Sequence, residues 1–156
     1  MGTERESSAI IREIVEADRS SWCRLRDALW PGSLSDHEVE TKNYFERPHG
    51  RLVVFVAEQS GRVVGFLELD YRKYAPGCQS SPVPFIEGWY VEHEMRGQGI
   101  GRALIEAAEN QARAAGCHEI ASDTEIDNVA SIGAHLALGY TEVERNICFR
   151  RSLRET

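Results

Sequence analysis

The sequence predicts an α/β (α+β) fold, a mixed sheet with helices on both faces. Three observations carry that expectation. The first strand-like runs are joined by a hairpin turn, and the later ones alternate with helical patterns. The length of 156 residues suits one domain, because a chain of this size buries roughly 68–70% of its unfolded surface. Residues 1–156 are therefore read as a single domain.

Taken in order, SAIIREIVEAD begins as a short strand. Asp18 then stands where it can cap a helix running through Trp22, Leu25, Arg26 and Leu29, and Pro31-Gly32 stops that helix after Trp30. A second helix is expected from about Ser35 to Phe45, ending near Pro48. RLVVFVAEQSGRVVGFLELDYRKY reads as two strands rich in β-branched and aromatic residues, joined at Gln59-Ser60-Gly61. PVPFIEGWYVEHE is a further strand after the turn-rich stretch 75–82. A helix from about Gly99 to Ala115 places Ile100, Leu104, Ala108, Gln111 and Ala115 along one face, with Gly116 as its stop. CHEIASD reads as a short buried strand, DNVASIGAHLALG as a helix ended by Gly139, and YTEVERNICFRR as a return to strand.

Composition narrows the function. A hydrophobic fraction of 42% with 28% charged residues is ordinary for a globular protein, and no apolar stretch reaches the ~18 residues of a membrane span. MGTERESS is polar and lacks the pattern of a secretory leader, so a cytoplasmic protein with no membrane partner is expected. Cys23, Cys78, Cys117 and Cys148 form no C-x-x-C pair, and the five histidines lack metal-site spacing. No metal and no disulfide framework are expected. A net charge of −7 disfavours nucleic acid and would draw in a cationic small molecule, although solubility accounts for the same number.

The most informative stretch is VEHEMRGQGIG, residues 91–101, between a strand and a helix. The first backbone N–H groups of a helix lack intrahelical acceptors and carry partial positive charge, which suits phosphate oxygens. Gly97, Gly99 and Gly101 permit unusual dihedrals and remove side chains that would hold a pyrophosphate away, while Arg96 and Arg102 add charge-assisted donors. A plain strand-to-helix turn is the alternative. The triphosphate-loop pattern G-x-x-x-x-G-K-[ST] is absent, and the dinucleotide fingerprint fails because Gly97-Gln98-Gly99 is followed by Ile100-Gly101-Arg102.

What remains is [R/Q]-x-x-G-x-[G/A], met by Arg96, Gly99 and Gly101, which resembles the acetyl-CoA loop of the GNAT superfamily of N-acetyltransferases. The likeness covers the order of elements over nearly the whole chain. LRDALWPG, YAPGCQSSPVPFIEGWYV, EIASDTEIDN and GYTEVER are further similar, segment by segment, to the chromosomal-type aminoglycoside 6'-N-acetyltransferases. The resemblance implies a GNAT fold, a twisted mixed sheet with splayed central strands. It implies transfer of the acetyl group of acetyl-CoA to the 6'-amino group of aminoglycosides, with antibiotic resistance as the consequence, and a homodimer.

The same resemblance assigns residues. The splay would fall at Glu87-Gly88-Trp89-Tyr90-Val91, with Gly88 best able to tolerate a bulge, and freed backbone N–H groups there would meet the acetyl oxygen. Trp89, Tyr90, Val91, the run Arg96, Gly97, Gln98, Gly99, Ile100, Gly101, Arg102, and also Asn128 and His135 are expected to bind the donor. Trp30, Tyr74, Glu87, Asp123 and Glu144 are expected to line the acceptor pocket, where carboxylates suit a polycation and aromatic faces suit sugar rings. Glu87 draws notice by itself as a carboxylate in an apolar run. Asp123 or Glu87, directly or through an ordered water, is the expected base. His135 stands where many members of the superfamily carry an acidic tyrosine, so it either protonates sulfur or packs beside the donor. A GNAT enzyme for another amine and a non-catalytic acetyl-CoA-binding module are the competing readings.

Overall fold

Five strands, β1 (Ile10–Glu13), β2 (Val53–Gln59), β3 (Arg62–Arg72), β4 (Val83–Val91) and β5 (Ala121–Ser122), form one sheet in that order. The first four pair antiparallel with their neighbours, and β5 runs parallel to β4. The computed structural model describes residues 8–48 and 50–154, and the polar opening at 1–7 lies outside them. Two compact units divide the chain, one ending at Asp123 and one beginning at Thr124. The first holds the sheet with α1 (Arg19–Leu29), α2 (Leu34–Glu46) and α3 (Ile100–Ala114); the second holds α4 (Val129–Ala137).

The β2–β3 connection is a two-residue turn with positive φ at both Ser60 (53°) and Gly61 (77°), the twist-matched geometry for a tight hairpin. Along β3, successive side chains address opposite faces of the sheet. Phe66 joins Trp22, Leu25, Val54 and Val56 in a core beneath α1, and each fully buried aliphatic or phenyl group contributes roughly 1.5–3 kcal/mol. Gly65, one residue earlier, faces α3, where a β-carbon would stand 3.4 Å from Leu104 Cδ1 and 2.9 Å from the Tyr90 carbonyl oxygen. Helices thus cover both faces, as the alternating pattern predicts.

Four sequence expectations need correction. Asp18 occupies the N-cap position of α1 but makes no side-chain cap there. Its carboxylate turns back and accepts from Val15 N at 2.9 Å and from Arg12 Nη1 and Nη2 at 2.6 and 3.0 Å, because a guanidinium offers a stronger bond than one more amide. The buried stripe of α3 is Ile100, Leu104, Ile105, Ala108 and Ala112; Ala115 is exposed and Gln111 only half-buried, since 3.6 residues per turn carries the seam to the i+8 position. β5 is two half-buried residues rather than a buried strand. No strand is assigned over 140–151, because among the described residues that segment has no ladder partner to satisfy its backbone.

The Asp18 cluster yields a prediction. Hydrogen bonds from Arg12 hold the Asp18 carboxyl below the usual range, with burial opposing and the Val15 N–H assisting. A depressed folded-state pKa means stabilisation that is complete above the unfolded value and lost as pH falls through the folded one. Asp18→Asn is expected to cost about 1–3 kcal/mol at pH 7. Urea unfolding should show that deficit shrinking as pH drops below about 4; a deficit constant down to pH 3 would contradict the assignment.

Candidate active site

Strand β4 ends at Val91, and a single 3-10 turn, His93–Met95, leads to the glycine loop. Gly97 and Gly99 lie in the left-handed region at φ +79° and +84°, where a β-carbon is strained, and Gly99 is the N-cap of α3. Gly101 is needed for a different reason: its β-carbon would approach Trp89 Cζ2 to 3.1 Å. Two glycines therefore shape the turn and the third lets the helix settle on the strand. Arg96 fastens the loop to the strand it leaves, its Nε donating to the Val91 carbonyl at 2.8 Å and its guanidinium lying 5.3 Å from the Tyr90 ring. Gln98 and Arg102 are exposed, while Ile100 points its side chain into the core and offers the loop only backbone. The first N–H groups of α3 lack intrahelical acceptors there, and so fit an anion.

The β4–β5 ladder contains only Phe85↔Ala121 and Ile86↔Ser122. From Gly88 to Val91, β4 has a ladder partner on its β3 side alone among the described residues, so the β4–β5 ladder stops where the splay was expected. The register against β3 shifts there too: Glu68 faces Gly88 and Leu69 faces Ile86, leaving Glu87 as the extra residue of a β-bulge. The sequence reading gave that place to Gly88. Gly88 has another task, because a β-carbon on it would meet Trp30 Cη2 at 2.6 Å.

Trp30 reaches this position through local sequence. Pro31 bars helical dihedrals from the residue before it, and Trp30 leaves α1 at φ −126°, ψ 77°. Its ring lies over Gly88, edge-on to Phe66 at 6.3 Å, and 5.1 Å from the Arg26 guanidinium. Its carbonyl oxygen accepts from His37 Nε2 at 3.0 Å. Beneath it, Arg26 bridges Glu68 and Glu40, and Glu68 also accepts from Trp22 Nε1 at 2.9 Å. Burial pushes the Glu68 carboxyl up, while Arg26 and Trp22 pull it back. Sequence reasoning singled out none of Arg26, His37 and Glu68 for the site, yet they fix the wall that Trp30 forms.

Glu87 shares a face of the sheet with Arg72, the last residue of β3, because Arg72 stands opposite Val83 and residues 83, 85 and 87 alternate to one side. Arg72 Nε donates to Glu87 Oε1 at 2.8 Å and Nη2 to Oε2 at 2.6 Å, while the guanidinium carbon sits 3.5 Å from the centroid of the Phe85 ring. The charged form of Arg72 is favoured first by the Glu87 hydrogen bonds, against burial, and then by the charges of Glu87, Asp123 and Asp70. Three carboxylates thus share one cation. Asp123, directly after β5, is exposed, and Tyr74 is 70% exposed. Arg72 is a further residue that sequence reading passed over, because a charge at a strand end looks like ordinary surface.

In the second unit, Asn128 caps α4, its Oδ1 accepting from Ser131 N at 3.1 Å. His135 lies one turn further along α4. Its Nδ1 is 2.7 Å from the Ser131 carbonyl oxygen, and since a carbonyl only accepts, the hydrogen sits on Nδ1. Glu144 is exposed on the segment after α4.

Known proteins resemble this chain over nearly its whole length. The sequence profile of the acetyltransferase (GNAT) family matches residues 17–140. The aminoglycoside N(6')-acetyltransferase type 1 of Klebsiella aerogenes is 43% identical over 151 residues, which span 95% of this chain and 99% of that protein. The structure of AAC(6')-Iy in complex with CoA superposes with a TM-score of 0.88 at 35% identity, covering 96% of this chain and 99% of that one. The same enzyme in complex with the bisubstrate analogue CoA-S-monomethyl-acetylneamine gives 0.86 at 36% identity over 94% and 99%.

Proposed function

This chain belongs to the acetyltransferase (GNAT) family, and from that premise we propose how its residues work. It is an aminoglycoside 6'-N-acetyltransferase, transferring the acetyl group of acetyl-CoA to the 6'-amine, and by that reaction it confers resistance. The observation that carries the reading is the likeness, over 95% of the chain, to an enzyme of that name. That coverage also supports treating residues 1–156 as one acetyltransferase domain.

Bound acetyl-CoA supplies an activated acyl carbon. The amides opening α3, bared by Gly97 and Gly99 and flanked by Arg96 and Arg102, hold the diphosphate; Gln98, Ile100 and Gly101 line its seat. Trp89, Tyr90 and Val91 lie where β4 has left β5, so backbone N–H groups of that stretch polarise the acetyl oxygen. Family resemblance assigns donor binding to Asn128 and His135 of the second unit as well. Trp30 and Tyr74 pack on the sugar rings of the aminoglycoside, and Glu87 and Asp123 bind its ammonium groups; family resemblance gives the same task to Glu144 of the second unit.

An ammonium cannot attack, so one carboxylate must take its proton. Both oxygens of Glu87 are engaged by Arg72, which favours Asp123 as the acceptor of that proton, directly or through a water it orders. Following free thiol over a panel of aminoglycosides tests the whole reading. Release is expected only with acceptors that carry a 6'-amine, and mass mapping should place the acetyl group there. Faster release with unrelated amines would favour another acceptor, and donor binding without release would favour a non-catalytic module.

The reading extends to a cytoplasmic homodimer that binds neither nucleic acid nor membrane. Val143, Ile147, Phe149 and Leu153 fall at alternate-face positions of the segment after α4 and are 60–93% exposed, which supports a protein partner there. The net charge of −7 disfavours nucleic acid, and no helix among the described residues is long and apolar enough to cross a membrane. Light scattering that gave the mass of one chain would remove the dimer.

A further inference from the structure

The acidic cluster on the acceptor face already contains a cation, and it is the protein's own. Arg72 reaches Glu87 with both ends of a fork, at 2.8 and 2.6 Å, and its guanidinium carbon lies over the Phe85 ring, 3.5 Å from the centroid. A carboxylate bound on both oxygens, with an aromatic face beside it, is what an incoming ammonium on a sugar ring would seek. The register makes this pairing possible: Arg72 stands opposite Val83, and alternation along β4 puts Val83, Phe85 and Glu87 on the same face as Arg72.

We propose that Arg72 is a specificity-determining residue that occupies the ammonium seat on Glu87 in the free enzyme and is displaced by the polycationic acceptor. The inference rests on the reading given above. The pair suits displacement, since the side chains of Arg72 and Glu87 keep 41% and 30% exposure and so lie within reach of water. A pair in contact with water exchanges partners at less cost than a buried one, and a guanidinium released from Glu87 has Asp70 and Asp123 near enough to feel its charge. Acceptors with few cations displace Arg72 poorly, so the residue selects for polycations. The remaining charge of the cluster, three carboxylates against one guanidinium, favours the incoming polycation.

Arg72→Met keeps the stem on Phe85 and removes the charge. Its melting temperature reports that the fold is intact. The KM for neamine is expected to fall roughly three- to tenfold, with kcat within about twofold of the parent. Calorimetric titration of neamine should show the same gain in affinity. Arg72→Lys, which keeps a cation, should restore a KM near that of the parent. In a Glu87→Gln background, Arg72→Met should change neither quantity, because the seat is already gone.

A KM that rises or stays level in Arg72→Met overturns the proposal, as does an equal gain in the Glu87→Gln background. A purely structural Arg72 would lower the melting temperature and leave KM unimproved. If the parent releases no thiol with any aminoglycoside, the functional reading fails instead, and calorimetry still compares neamine affinity between the two proteins. Absence of neamine binding to either protein ends both.

Discussion

Glu68→Ala is expected to lose roughly 3–5 kcal/mol of folding stability, the range for removing one partner of a buried ion pair. Glu68 is 5% exposed and Arg26 9%. The carboxylate accepts from Arg26 Nη1 and from Trp22 Nε1, so alanine strands a buried guanidinium and a buried indole N–H together. Glu40 remains on Arg26, but its side chain is 59% exposed and screened by water, so it offsets little of the loss. Glu68→Gln keeps an acceptor and should cost less. The pH dependence gives a second check. Burial raises the Glu68 carboxyl, so the folded state takes up a proton more readily than the unfolded one. Stability from that source is present on the acid side and declines as pH rises from the ordinary glutamate range through the raised value. Chemical unfolding between pH 4 and 8 should show this slope in the parent and lose it in Glu68→Ala. A variant within about 1 kcal/mol of the parent at pH 7 would contradict the pairing energetics. Because Arg26 lies under the Trp30 ring, the KM for aminoglycosides should also rise in any folded fraction.

Why Glu68 went unnoticed in the sequence while Glu87 did not is instructive. Both are carboxylates within apolar strands, GFLELD and PFIEGWY, and the cost of burying a lone charge applies equally to each. Glu87 drew notice by its apolar run and by family resemblance together, whereas Glu68 had no resemblance to single it out and its partner lies 42 positions away on α1, a distance that no local pattern spans. The hairpin, the glycine loop and the helix it starts were legible because each is dictated within a few residues: positive φ at Ser60 and Gly61, and glycines at 97 and 99 where a β-carbon is strained. The bulge was not. It appears only in the register of β4 against β3, and it moves the extra position from Gly88 to Glu87. Gly88 then proves to be a glycine of close approach, set by Trp30 from 58 residues earlier in the chain. The strand expected over 140–151 failed for the complementary reason: its alternation of apolar residues is real, but a strand is a relation between two segments, and no partner lies among the described residues.

Asp123→Asn should lower kcat by about 10²–10⁴-fold, the usual worth of a positioned general base. Asparagine keeps the shape and the hydrogen-bonding reach but has no basic oxygen, so the effect should fall on kcat with a smaller change in KM for the aminoglycoside. Glu87→Gln should divide the other way. Glu87 shares its oxygens with Arg72 in the free protein, and in the complex its task is to hold a cation, so its loss should raise KM more than it lowers kcat. Single-turnover thiol release at saturating neamine separates chemistry from product departure, and the two variants measured side by side decide the assignment. If Asp123→Asn keeps kcat within about tenfold while Glu87→Gln loses it, the roles of the two carboxylates are exchanged. In that case Arg72 must leave Glu87 before the proton can move, and rate and affinity would both answer to the same arginine.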